Sequence, residues 1–219
     1  MHAVFNFVRG PMAGIAFAVF IIGCLYQMAS MWRLARKKDA VVFHYFSLFY
    51  ALRSIIHWMV PFAALNMRRH PVMTGVTFVF HLCLFAVPFF LSSHAILFKE
   101  SWDVSWAWLP DGIADIMTLA VMGACLFFLG RRIFLREVRY LTTVSDVLIL
   151  FCVALPFFSG FWAGQQWPGF PVMTLVHMIS GEILLMLIPF TRLRHMLFFP
   201  VIRGYMGSEF GAVRRARDW

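Results

Sequence analysis

Residues 72–98, VMTGVTFVFHLCLFAVPFFLSSHAILF, hold no Lys, Arg, Asp or Glu but carry two histidines, His81 and His94. A helix rises about 1.5 Å per residue, so roughly 20 apolar residues cross a hydrocarbon core about 30 Å thick, and this run is long enough to do so. Outward from it, four more runs meet the same requirement: 11–32, 113–130, 141–163 and 172–190. The breaks WRLARKK, KESWDVSWAWLPDG, GRRIFLREVR, GQQWPGFP and TRLRH are too polar, or too rich in Gly and Pro, to stay in lipid. The expected fold is an all-α membrane protein, a bundle of five transmembrane helices forming one domain over residues 1–219.

Composition points the same way. With 62% hydrophobic and 13% charged residues in 219 and a mean hydropathy of +0.79, the chain lies outside the balance of soluble domains. Its net charge of +9 comes from short basic runs between apolar stretches. That pattern excludes a nucleic-acid-binding face and reads as topology signals in a chain whose partner is membrane lipid. Cys24, Cys83, Cys125 and Cys152 lie inside apolar segments without CxxC or CxxCH spacing, which argues against zinc, iron–sulfur or attached c-type haem sites. The N-terminal stretch MHAVFNFVRGPMAG has no cleavage pattern, so the first apolar run is expected to be retained as a helix.

In the five-helix reading, the first loop, the third loop and the C-terminal tail together hold 17 of the 19 Lys and Arg residues; Arg9 and Lys99 lie on the other side. Positive charge stays inside, so the C-terminus is expected to be cytoplasmic and the N-terminus outside. The outer loops carry Trp102, Trp106, Trp108, Trp162 and Trp167, as an interfacial belt would. Residues 40–66 are long enough to span but include His44, Arg53 and His57. Crossing there would put WRLARKK and NMRRH on opposite faces, so the segment is expected to lie on the cytoplasmic interface as an amphipathic element.

Four histidines sit in or at the ends of two runs: His81 and His94, His177 and His195. Ionisable groups in a membrane are costly, and axial ligation of haem iron gives neutral imidazoles a use; helix-to-helix hydrogen bonding is the competing one. His177 and His195 are 18 residues apart, five helical turns, so on one helix they share a face about 27 Å apart. Antiparallel order then pairs His81 with His195 near the cytoplasmic face and His94 with His177 near the outer face. The 13 residues from His81 to His94 miss the same face by roughly 140°, and Pro88 between them is a candidate kink. Arg132 and Arg192, at cytoplasmic helix ends, are candidates for pairing with haem propionates, although the positive-inside rule already accounts for them. Glu182 and Asp115 are candidates for proton or quinone chemistry, and Asp146 reads as a helix-start residue.

At this point the chain resembles the gamma subunit of membrane-bound nitrate reductase and its relatives. The resemblance is carried by FHLCLF around His81, AWLP at 107–110, GRRIFLREVRYLTTVSDVLIL at 130–150 and HMISGEILLMLIPFTRLRHMLFFPV at 177–201. It implies two b-type haems held by His81, His94, His177 and His195. Three departures accompany it. The interval from His81 to His94 is longer than the family's, so Leu91 stands where the second ligand would fall; the first loop is longer; and the family's quinol-site lysine after AWLP is replaced by Ala114 or its neighbours. Similar b-type subunits occur in transmembrane complexes of sulfate-reducing bacteria, with a heterodisulfide-reductase-like cytoplasmic partner and a periplasmic multihaem cytochrome c. The expectation is an electron-transfer subunit of a respiratory oxidoreductase complex, not a stand-alone enzyme, working between a quinone or quinol and a cytoplasmic iron–sulfur subunit. The rival readings are a haem-free membrane anchor and a small proton or substrate transporter.

Overall fold

The computed structural model describes residues 2–218. Helices dominate it, with no strand among the described residues. Five helices are long and apolar enough to cross a membrane: His2–Lys38, Pro71–Phe90, Asp111–Phe134, Val144–Gly164 and Phe170–Phe190. Their outward surfaces are apolar, with Ile22 66%, Ile116 68% and Leu126 70% exposed. Such wide apolar surfaces suit lipid and not water.

The chain divides into two compact units. One comprises Gly75–Gly181 with the chain up to Arg9; the other comprises Gly10–Thr74 with the residues from Glu182 onward. The first unit holds most of α6 (Pro71–Phe90), with α7 (Ser92–Trp102), α8 (Asp111–Phe134) and α10 (Val144–Gly164), and α8 packs on α10. Helix α8 buries Ala114, Thr118, Val121 and Cys125, a narrow stripe at helical spacing that lets α10 approach closely. Phe80 of α6 meets Phe128 of α8 edge-on at 5.3 Å. The start of α10 is a capping box: the Thr143 backbone N–H donates to Asp146, and Asp146 is 5% exposed. Asp146 is therefore a helix-start residue, as its position in the sequence suggests.

The second unit contains α2 (Ala13–Lys38), α4 (Leu48–Met59) and α12 (His195–Ser208). Helix α4 packs on α12 through glycines. A Cβ at Gly207 would strike the Ser54 side chain and come within 2.6 Å of the Tyr50 carbonyl, and one at Gly211 would strike the Tyr50 ring. Asp218 closes this contact: Ser54 donates to its carboxylate, and Arg203, stacked over Trp58 at 4.1 Å, lies 3.7 Å from the same oxygen. The sequence reading did not anticipate this packed tail. In α2, Gly23 admits Pro189, which a Cβ would meet at 2.7 Å.

Three expectations need correction. The run 72–98 is not one helix: α6 ends at Phe90, Leu91 is extended (φ −70°, ψ 132°), and α7 starts at Ser92. The run 172–190 does not continue helically to His195. Helix α11 (Phe170–Leu187) tightens into a 3-10 turn at Ile188–Phe190 that contains Pro189, Thr191 is extended, and His195 opens α12. The five-turn phase between His177 and His195 therefore does not apply. The first crossing helix starts earlier than residue 11, with α1 (His2–Phe7) joined to α2 through a π-helical turn at Val8–Met12. Pro11 lacks the N–H that a regular turn needs, and the wider turn absorbs the defect. Residues 40–66 form no helix of crossing length; the longest is α4, with 12 residues.

Candidate functional site

The break at Leu91 decides where His94 sits. It strips helical donors from the carbonyls of Pro88, Phe89 and Phe90, which must find others. His94 Nδ1 donates to the Pro88 carbonyl at 2.9 Å, Trp106 Nε1 to that of Phe89 at 2.6 Å, and the Leu109 N–H to that of Phe90 at 2.8 Å. Because α7 starts a new helix, the poor phase between His81 and His94 is no obstacle.

His177 rests against α10. Its Nδ1 donates to the Pro156 carbonyl at 2.8 Å, and its ring occupies the space where a side chain on Gly160 would begin: a Cβ there would lie 2.7 Å from Nδ1 and 2.8 Å from Cε1. The rings of His94 and His177 then face each other with centroids 5.8 Å apart and planes 17° from parallel.

All four candidate ligands share one hydrogen-bond pattern. His81 Nδ1 bonds the Thr77 carbonyl at 2.7 Å, and His195 Nδ1 bonds the Arg192 carbonyl at 2.9 Å. A carbonyl only accepts, so each Nδ1 carries a proton, and in that tautomer of the neutral ring the lone pair lies on Nε2. Backbone carbonyls set metal-binding histidines in this way. The 5.8 Å between ring centres is of the size expected for two imidazoles holding one metal about 2 Å from each nitrogen, roughly 6 Å. Among the described residues no group of three or more His, Cys, Asp or Glu side chains could hold a metal ion. A two-imidazole donor set suits a group that brings its own in-plane ligands. His81 lies in the first unit and His195 in the second.

The remaining candidates are placed as follows. Asp115 accepts from Gln165 Nε2 at 2.7 Å, a tie between α8 and the end of α10. Glu182, on α11, has a buried Oε2 without a hydrogen-bond partner. Arg132 reaches Thr142 at 3.4 Å and Asp146 at 3.8 Å, so it braces the turn before α10. Arg192 is exposed at the head of a 3-10 turn. In the sequence Gly160 gives no signal, and Trp106 reads only as part of the interfacial belt. Histidine spacing marks candidate ligands, whereas a glycine on another helix and an indole 17 residues from its acceptor leave no local pattern.

The fold defines a multi-pass helical membrane protein with a paired-imidazole site in its first unit. The chain is 37% identical over 221 residues to a protein of Nitratidesulfovibrio vulgaris (strain Hildenborough) described only as "Protein", an alignment covering 97% of this chain and 95% of that relative. It belongs to the same family as that protein. No family model matches the chain, and no solved structure matches it.

Proposed function

We propose that the chain is a di-haem b-type cytochrome, the membrane subunit of a respiratory oxidoreductase complex related to the nitrate reductase gamma subunit. The observation that carries this reading is the His94–His177 pair: near-parallel rings 5.8 Å apart, each with Nδ1 committed to a proline carbonyl. When bound, a b-type haem takes up and releases single electrons within hydrocarbon. His94 and His177 would hold one such group, and His81 and His195 the other. The carbonyls of Pro88, Pro156, Thr77 and Arg192 fix the four tautomers and keep the rings from turning. Glu182 and Asp115 are the carboxylates that would handle protons for a quinone or quinol, and Arg192 would pair with a propionate.

In this reading the C-terminus is cytoplasmic and the N-terminus lies outside, in a bacterial cytoplasmic membrane, as the charge asymmetry requires. Helix α4 supports an interfacial position for residues 40–66, because Phe49, Leu52, Ile56 and Met59 form one exposed apolar stripe at helical spacing. Electrons would pass between a quinone or periplasmic multihaem cytochrome c and a cytoplasmic iron–sulfur subunit.

A reduced-minus-oxidised optical spectrum of the purified protein tests the proposal. The α-bands of b-type haem, with two haems per chain, are expected. A colourless preparation would return the chain to the haem-free anchor or transporter readings.

A further inference from the structure

We infer that Gly160 and Trp106 are positioning residues that set the His94–His177 pair from outside the ligands themselves, an inference that rests on the haem reading. Each imidazole needs a partner that its own helix does not supply. For His177 the support is α10. The ring fits against that helix only because position 160 has no side chain, and there the Pro156 carbonyl captures its Nδ1 proton. An alanine methyl 2.7 Å from Nδ1 is well inside contact distance and has backbone behind it, so the imidazole must swing away and release the carbonyl.

For His94 the support is the clasp over the helix break. Trp106 ties the end of α6 to the middle of α7 with two contacts: its Nε1–H donates to the Phe89 carbonyl, and its ring meets Phe98 at 5.2 Å. Phe98 lies one helical turn beyond His94. The neighbouring Pro88 carbonyl is the acceptor that orients His94. Without the indole N–H, the Phe89 carbonyl loses its partner, and the direction of α7, which carries His94, is less firmly held. Trp106 thus does more than mark a membrane interface.

The test uses the full-length membrane protein, with haem content, midpoint potentials and the electron paramagnetic resonance of the ferric haems as readouts. Gly160→Ala is expected to lose one haem of two while the other keeps its spectrum and potential, which also shows that the chain has folded. Gly123→Ala, at an exposed position with nothing within 4 Å of the added Cβ, is expected to keep both. Trp106→Phe preserves an aromatic ring and removes only the donor. It is expected to retain both haems but shift the resonance and potential of one, and it decides the matter if Gly160→Ala fails to accumulate. Wild-type spectra and potentials in both variants would overturn the inference while leaving the di-haem reading intact, as would equal haem loss in Gly123→Ala. A wild-type protein without haem would overturn both.

Discussion

His94 and His177 come from different helices, yet each depends on the other if they share a single centre. Replacing either with alanine should remove the same haem, and the double substitution should remove no more than either alone, because residues acting as a unit are not additive. Haem quantitation on the two single variants and the double variant checks this; additive loss would mean that the rings serve separate sites. At the other end of the residue scale, Tyr205 donates to Asp39 at 2.7 Å, outside the crossing helices. Hydrogen bonding to that carboxylate, followed by burial and the charges of Asp39 and Glu209, raises the phenol above its ordinary value, with Arg214 opposing. The group is more strongly protonated in the folded state, so its stabilisation is fully present below the unfolded value of about 10 and fades as pH rises through the folded one. The stability difference between wild type and Tyr205→Phe should accordingly be flat through neutral pH and shrink only in alkali. Melting curves across that range would show it, and a difference that grew with pH would contradict the assignment.

At the scale of elements, the α4–α12 contact is set by what its glycines lack. Gly207→Ala would drive a methyl into Ser54 and the Tyr50 carbonyl, and overpacking of this kind costs about 1–3 kcal/mol. A 1.4 kcal/mol loss corresponds to roughly a tenfold rise in the open population, and proteolysis follows that population when reclosing is fast. Trypsin should therefore clip the tail at Arg214, Arg215 and Arg217 about tenfold faster in Gly207→Ala than in Gly123→Ala. Equal rates would show that the tail is not held by this contact. The same scale shows what the sequence made legible. Uninterrupted apolar length marked the crossing helices, and Asp146 marked the start of α10, because both signals are local; its capping partner Thr143 emerged only in the structure. The break at Leu91 was not legible. Pro88 advertises a kink, but ending the helix requires acceptors to be satisfied by Trp106 and Leu109, and that is settled only by tertiary structure. The glycines of α12 and the turn after it were equally silent, since Gly204, Gly207 and Gly211 acquire meaning only against Ala51, Ser54 and Tyr50.

For the whole molecule, the open question is on which side of the membrane each connection lies. Cysteine labelling can decide it, because Cys83 and Cys125 are buried and Cys24 and Cys152 lie within crossing helices. Cysteines introduced at Lys38, Asn66, Ser105 and Glu137 occupy exposed positions and sample the first loop twice, the second loop and the third. The charge asymmetry predicts that an impermeant maleimide reaches only the Ser105 position in intact cells and the other three after permeabilisation. Lys38 and Asn66 are the most informative pair. They mark the two ends of the segment 40–66, whose longest helix, at 12 residues, extends about 18 Å and falls short of a hydrocarbon core about 30 Å thick. If the segment lies along one face, both positions respond together; if it crosses, they respond on opposite sides and every later helix reverses its direction. Reversal would carry the outer imidazole pair to the cytoplasmic side, so labelling of Asn66 but not Lys38 in intact cells would sink the proposed orientation and with it the placing of the His94–His177 pair near the outer face.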